Sequence, residues 1–185
     1  MNFEKPDYKI IEYVENNFYG KFELEHLERG FGLTLGNALR RVMLSSMPGT
    51  SIVAVKIDGV MHEFQTIDGV IEDVVAIILN LKGVVLRSES KEVLTAHLSV
   101  KGEKTVTAGD IECNSEIEVI NPDHVIANVA KGGKLYMEFI IASGRGSALS
   151  FENKKYIEDT TLGYIPIDAN YSPIERISYD VDKAR

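Results

Sequence analysis

The sequence lacks several residue types on which covalent frameworks and metal sites depend. It contains no tryptophan and one cysteine, Cys113, among 185 residues. A single cysteine excludes an intrachain disulfide framework and a cysteine-based zinc site, and it favours a protein of a reducing compartment. No apolar run approaches the length of a membrane span, and the N-terminus MNFEKPDYKI lacks a signal-peptide core. We therefore expect a soluble, cytosolic protein.

Positive charge is also scarce. Lys and Arg total 20 against 28 Asp and Glu, which gives a formal net charge of -8. Nucleic-acid binding draws on a surplus of cations, and no basic run here exceeds two residues. We expect no direct contact with DNA. Hydrophobic residues at 44% and charged residues at 26% are ordinary for a globular chain with a genuine core.

Hydrophobic periodicity predicts an α+β fold, mostly antiparallel sheet with two helices. The first part of the sequence predicts strands at 8–15 and 21–25 joined by a tight turn at Asn16-Asn17, followed by a helix capped by Thr34. A strand at 51–57, an Asp58-Gly59 turn and a partner strand at 60–64 come next. A second helix is predicted from a cap at Asp68 to Gly83, and we expect it to be buried on several sides. The remainder predicts strands and turns up to Ala142, a turn at 144–146, a loop at 151–163, and a strand face shared by Ile177, Tyr179 and Val181.

Gly30, Gly32 and Gly36 lead into a helix, a pattern similar to that of a phosphate-binding loop. They belong to the stretch LERGFGLTLGNALRRVMLSSMPG, residues 27–49. Asp58 follows about where a dinucleotide fold needs its ribose-binding acid. However, the spacing G-x-G-x-x-x-G is one residue longer than the fingerprint, the leading strand alternates, and no further βαβ unit follows. A small nucleotide-binding enzyme using the Gly30–Gly36 loop is the alternative function.

The helix in this stretch has two distinct faces. Its main apolar arc contains Leu35, Ala38, Leu39, Val42 and Met43. Leu44 lies nearly opposite that arc, between Arg40 and Arg41. An apolar residue flanked by arginines is typical of a protein–protein contact. The other interpretation is that Leu44 touches a neighbouring loop and both arginines are solvated.

Several longer motifs together resemble those of one protein family. The 27–49 stretch, VKIDGVMHEF, DGVIEDVVAIILNLKGVVLR, VTAGDI, VINPDHVIANV, GRG and IDANYSPIERISYDV occur in this order. Together they closely resemble the amino-terminal domain of the α subunit of bacterial DNA-directed RNA polymerase. The resemblance covers essentially the whole chain.

The resemblance implies a non-catalytic subunit that forms a homodimer and then scaffolds assembly of the large β and β′ subunits. Nucleotidyl transfer and its magnesium would belong to those partners, with no cofactor on this chain. It also implies a discontinuous dimerisation subdomain, residues 1–51 with 165–185, and an inserted second subdomain, residues 52–164.

Particular residues match positions to which the family gives roles. Arg41 and Leu44, with Arg40 beside them, match the contact with β, and Lys82 of NLKG matches a region associated with β′. The resemblance implies a dimer interface formed by Phe31, Leu35, Leu39 and Val42.

Family members continue past YDVDKAR with a strand, a long helix, a linker and a DNA-binding carboxy-terminal domain, whereas this sequence ends at Arg185. The resemblance implies no direct DNA contact without that domain and no membrane partner. It implies a bacterial cytoplasmic protein, nucleoid-associated as part of the polymerase.

The remaining reactive residues form no recognisable site. The histidines His26, His62, His97 and His124 lack metal-ligand spacing. Cys113 has no basic neighbour to activate its thiol. Glu152 and the segment KKYIEDT predict a charged surface loop, and Arg145 between two glycines fits either a hairpin turn or a close approach to a partner. We therefore expect no catalytic or metal site on this chain.

Overall fold

The computed structural model describes residues 5–157 and 162–183, and it divides into two compact units. Unit 1 consists of the described residues of Met1–Leu44 and Arg176–Arg185, and unit 2 spans Ser45–Glu175. All strand pairs among the described residues are antiparallel, and three α-helices accompany them. The predicted α+β class is confirmed. No helix in the described part of the chain has the length and apolarity needed to cross a bilayer.

Unit 1 contains a β-hairpin and the longest helix. Strands β1 (Asp7–Val14) and β2 (Tyr19–Glu25) pair antiparallel, and helix α1 spans Phe31–Ser45. The strands are joined by a 3-10 turn, Glu15–Asn17, which Phe18 closes at φ 49°. Thr34 was predicted to cap α1, and that prediction is wrong. The chain reverses at Gly30, φ +91°, so the helix already begins at Phe31.

Unit 2 is built around one antiparallel sheet whose strands differ in length. Its elements are β3 (Pro48–Ile57), α2 (Val74–Leu81), β4 (Leu86–Arg87), β5 (Leu94–Lys101), β6 (Lys104–Thr107), β7 (Glu118–Val119), β8 (Val125–Val129), β9 (Lys134–Arg145), β10 (Ser147–Ala148), α3 (Ser150–Asn153), β11 (Tyr164–Pro166) and β12 (Ala169–Asn170), with 3-10 turns at Ala108–Asp110 and Lys154–Tyr156. The sheet order is β5-β9-β3-β4-β7, with β11 also paired to β3. The pairs β6-β8 and β10-β12 lie outside that sheet.

The main core lies between this sheet and α2. Residues of β5 alternate strictly between buried and exposed, as a half-buried strand requires. On β9, Met137 and Phe139 are fully buried, and α2 adds Val74 and Ile77 from the other side. Burial of several such side chains, each contributing about 1.5–3 kcal/mol, makes this the stable body of unit 2.

A smaller core, which includes Tyr171, covers part of the opposite sheet face. Gly49 of β3 and Gly144 of β9 lie directly opposite each other. A Cβ on Gly144 would lie 2.7 Å from the Tyr171 ring, and one on Gly49 would lie 1.8 Å from the Tyr171 carbonyl oxygen. The two glycines therefore clear the space in which Tyr171, only 5% exposed, is packed.

The prediction of a strand at 60–64 is wrong, because these residues form no strand. The Asp58-Gly59 turn is present, with Gly59 at φ +77°. However, the end of β3 already pairs with β9 on one edge and with β11 on the other, so no edge remains for a hairpin partner. The Gln65 side-chain oxygen instead accepts hydrogen bonds from the N–H groups of Met61 and His62.

The second helix starts later than predicted. Asp73, and not Asp68, is its N-cap, and the Asp73 carboxylate accepts the Ala76 N–H at 2.7 Å. The Gly69 carbonyl accepts the Ala130 N–H, and Gly69 itself has φ +78°. The backbone before Asp73 therefore pairs with another segment and cannot be helical. The helix is also not buried on several sides, because Val75 and Leu79 are exposed.

Three further local predictions need correction. Strand β9 continues through Arg145, so the turn predicted at 144–146 is confined to Gly146, φ +66°. The loop predicted at 151–163 contains most of α3 and a 3-10 turn, and its residues 158–161 lie outside the described residues. The described residues 171–183 form no strand.

The packing of Tyr171 generates the first prediction. Gly49→Ala should lower the free energy of unfolding by about 3 kcal/mol or more, because the new methyl group meets backbone and not a movable side-chain tip. Thermal unfolding followed by circular dichroism measures the change. Ser51→Ala on the same strand is the control and should stay within about 1 kcal/mol of the parent. A Gly49→Ala chain as stable as the parent would contradict this packing.

Candidate protein-binding surfaces

One side of α1 is covered by the end of the chain within unit 1. A Cβ atom on Gly36 would lie 2.5 Å from Cδ2 of Tyr179. A Cβ atom on Gly32 would lie 2.7 Å from Cγ1 of Val181. Residues i and i+4 share one helix face, and residues i and i+2 of an extended segment share another. The segment therefore runs along the helix with alternate side chains directed at the two glycines.

These contacts bear directly on the nucleotide-binding alternative. A dinucleotide site uses its glycines to let a pyrophosphate approach the backbone. Here the space beside Gly32 and Gly36 contains the side chains of Val181 and Tyr179. These two glycines thus have a packing role, and only Gly30, at φ +91°, has the backbone conformation of a loop glycine.

An adjacent side of α1 presents the residues expected at a dimer interface. Phe31, Leu35, Leu39 and Val42 span about 80° of the helix at ~100° per residue. Phe31 and Val42 are each 55% exposed and Leu39 is 39% exposed. None of the α1 residues, all of which the structure describes, is buried. This chain alone therefore leaves the apolar face largely in contact with water.

The arginine-bearing side of α1 lies away from that face. Arg40 and Arg41 are exposed and Leu44 is half-buried. Leu33 is 65% exposed and lies about 20° from Leu44 on the helix projection, about three turns earlier in the helix. Leu33 and Leu44 therefore form a second apolar strip on the arginine-bearing side. Sequence reasoning missed Leu33, although its spacing of eleven residues from Leu44 is a usable signal.

The hairpin of unit 1 adds an exposed apolar face that sequence reasoning also missed. Tyr8 lies opposite Leu24, and Ile10 lies opposite Phe22. These four side chains and Tyr13 are all exposed. The other face is charged and includes the Lys9–Glu25 ion pair. A two-stranded hairpin with an uncovered apolar face is marginally stable in water, so this face is suited to contact with other protein.

Lys82 follows α2 in a turn that polar side chains hold from several sides. The Asn80 side chain donates to the Ile126 carbonyl at 2.8 Å, and the His124 ring nitrogen lies 2.7 Å from the Asn80 carbonyl. Asn121 donates to the Gly83 carbonyl at 2.8 Å and accepts from the Val85 N–H at 2.8 Å. The Asn80 carbonyl, in the last turn of α2, also accepts the Gly83 N–H at 3.0 Å. Together these bonds fix the backbone beside Lys82.

The Lys82 side chain has its own partner. Its ammonium donates to Asp168 Oδ2 at 2.9 Å, while Asp168 Oδ1 accepts the Ser150 N–H at 2.8 Å. The Lys82 hydrogen bond, followed by that from Ser150, holds the pKa of the Asp168 carboxyl below its ordinary value. Sequence reasoning identified Lys82 but missed Asp168, because the two lie 86 residues apart.

The other reactive residues of unit 2 lie at separate places in the fold. His97 lies 3.0 Å from Glu112, and burial raises the pKa of the Cys113 thiol. Arg145 is part of β9, and Glu152 accepts the Leu149 N–H. Within residues 5–157 and 162–183, no three His, Cys, Asp or Glu side chains are grouped closely enough to hold a metal ion.

Comparison with known proteins adds a family. A family model described as the RNA polymerase Rpb3/RpoA insert domain matches residues 55–172. The chain is 48% identical over 185 residues to the DNA-directed RNA polymerase subunit alpha of Symbiobacterium thermophilum, and 48% identical to that of Limosilactobacillus reuteri. In both comparisons all of this chain is aligned, and it spans 58% of the relative's length.

The glycine contacts of α1 generate a prediction whose sign is diagnostic. At an ordinary exposed helix position, Gly→Ala stabilises by about 1 kcal/mol. Gly36→Ala should instead destabilise unit 1 by about 1–3 kcal/mol, because the methyl group meets the Tyr179 ring. Hydrogen exchange of the α1 amides measures this locally.

The control is Tyr179→Ala, which removes the ring. In that background Gly36→Ala should raise the protection of the α1 amides. Increased protection on adding Gly36→Ala to the parent chain would contradict the proposed packing.

Proposed function

The chain belongs to the RNA polymerase Rpb3/RpoA insert domain family, and on that basis we propose that it is the assembly part of a bacterial DNA-directed RNA polymerase α subunit. In this proposal the chain forms a homodimer and scaffolds the β and β′ subunits. The observation that carries it is the division of α1 into one side covered by its own chain and two sides open to other protein. An enzyme active site needs no such arrangement.

We assign the apolar face of α1 to a second copy of the chain. Phe31, Leu35, Leu39 and Val42 form one continuous surface, and a two-fold interface requires a self-complementary patch of this kind. The assignment extends to domain organisation, with residues 1–51 and 165–185 as the dimerisation subdomain and 52–164 as the insertion. Unit 1 combines Met1–Leu44 with Arg176–Arg185, and this supports a first subdomain made of two separate chain segments, although its bounds differ from those proposed.

We assign Arg40, Arg41 and Leu44 to the contact with β, and Lys82 to the contact with β′. Support for the first comes from the exposure of both arginines beside a partly accessible leucine, the composition of an interface hot spot. Support for the second comes from the rigid backbone that presents Lys82.

The proposal gives this chain no catalytic residue, cofactor or metal, and RNA synthesis from nucleoside triphosphates belongs to the assembled complex. It includes a bacterial cytoplasmic location, nucleoid-associated through the polymerase. The net charge of -8 supports an indirect relation to DNA. The Gly30–Gly36 loop is not proposed as a nucleotide site, because side chains of this chain contact Gly32 and Gly36.

The dimer assignment predicts that Leu39→Glu converts the self-associated chain to a monomer. A carboxylate on the apolar face would be desolvated without a partner in the interface. Sedimentation velocity over a range of concentrations measures the change. Ile71→Glu, at an exposed apolar residue of unit 2, is the matched control and should leave the association unchanged. Equal sedimentation of the Leu39→Glu and parent chains would contradict the assignment.

The β assignment predicts that Arg41→Ala weakens capture of β by roughly 30-fold, the effect of losing a contact of about 2 kcal/mol. Co-purification of β with the tagged chain measures it, and sedimentation should show that self-association is retained. Arg87→Ala, which removes an exposed arginine of unit 2, is the control. Undiminished capture of β by a folded Arg41→Ala chain would refute this role for the arginine.

A further inference from the structure

The Lys82–Asp168 pair lines a cleft in unit 2. The cleft is otherwise lined by Ser147, Ala148, Leu149, Ala169 and Asn170. Among the described residues that line it, Lys82 and Asp168 are the only charged ones. Their side chains are 35% and 44% exposed, so the pair is accessible to a partner from the solvent side.

The hydrogen bonds of the pair determine what its ammonium group can still recognise. A lysine ammonium has three N–H donors and no acceptor. One donor of Lys82 is used by Asp168 at 2.9 Å, which leaves two donors and a charge that is already compensated. Asp168 is itself held by the Ser150 N–H, so the carboxylate cannot swing away when a partner approaches without losing that bond.

This arrangement discriminates between two kinds of partner group. A carboxylate approaching Lys82 would also approach Asp168, and the repulsion between like charges would offset much of the attraction. An uncharged acceptor, such as a main-chain carbonyl, takes the remaining N–H donors without that repulsion. The uncharged lining of the cleft is consistent with the second kind of group.

We propose that Asp168 is a positioning residue for Lys82, and that the pair recognises an uncharged hydrogen-bond acceptor, a main-chain carbonyl of the partner. This inference rests on the proposed contact between Lys82 and β′. It differs from a simple charge contact, in which Lys82 would pair with an acidic residue of β′ and Asp168 would compete for the same ammonium group.

The test is recruitment of β′ by the tagged chain already assembled with β. Asp168→Asn keeps an oxygen that can accept the Ser150 N–H but removes the charge that holds Lys82. Recruitment should weaken about threefold to fivefold, the range expected for a part-exposed ion pair. In a Lys82→Ala background Asp168→Asn should have no further effect, because a positioning residue acts only through the residue it positions.

The matched control is Asp110→Asn. Asp110 also pairs with a lysine, Lys104, and also accepts a backbone N–H, that of Thr107 at 2.9 Å. This variant should leave recruitment of β′ unchanged. A second readout is the rate of reductive methylation of Lys82 in the chain alone, which Asp168→Asn should increase and Asp110→Asn should not.

The possible outcomes separate this inference from the function on which it rests. If Lys82→Ala leaves recruitment unchanged, the proposed contact with β′ fails and the inference fails with it. If Lys82→Ala weakens recruitment while Asp168→Asn strengthens it or leaves it unchanged, the contact stands and the positioning role is overturned. An effect of Asp168→Asn that persists in the Lys82→Ala background also overturns it, because Asp168 would then act independently.

Discussion

The close approach of Tyr179 and Val181 to the glycines of α1 is the constraint on which the account of unit 1 depends. A Cβ atom on Gly36 would lie 2.5 Å from the Tyr179 ring, and one on Gly32 would lie 2.7 Å from Val181, so a methyl group at either position would displace its neighbour. Because one side of the helix is covered from within the chain, its orientation is fixed by local packing. The remaining sides can then carry apolar and cationic residues without serving the chain's own core.

In unit 2, hydrogen bonds and not close packing fix the backbone that presents the proposed contact residue. The C-terminal turn of α2 is fixed by Asn80, Asn121 and His124, and the lysine that follows it is held by Asp168. A large buried core under the sheet supports this turn, since Val74, Ile77 and Leu81 anchor the helix. A rigid scaffold that presents a few polar groups is well suited to binding, because little side-chain entropy remains to be lost.

Patterns of period two and 3.6 were sufficient to predict the fold class, the strands β1 and β2 and the presence of α1. They failed where tertiary contacts decide the backbone. The segment 60–64 has strand propensity but no free sheet edge to pair with, and the residues before Asp73 are held by backbone pairing around Gly69. The strand predicted to place Ile177, Tyr179 and Val181 on one face is not formed, and Tyr179 and Val181 instead lie against Gly36 and Gly32 of α1.

The candidate surfaces show the same division. A helix projection separates the Leu39 side from the Leu44 side because both lie on one continuous element. No local pattern connects Lys82 with Asp168, or Asn121 with Gly83, because the members of these pairs are 86 and 38 residues apart in sequence. The roles proposed for Lys82, Arg41 and Leu44 come from family resemblance, and geometry supplies reasons why such residues would suit those roles.

The central claim is that two sides of α1 are occupied by different proteins in successive steps. Hydroxyl-radical footprinting with residue-resolved mass spectrometry tests it most directly, on the chain at low concentration, on the self-associated chain and after addition of β. The account predicts protection of Leu39 and Val42 on self-association, and protection of Leu33 and Leu44 only when β is added. Protection of all four residues in one step, or of Leu44 before β is present, would contradict it.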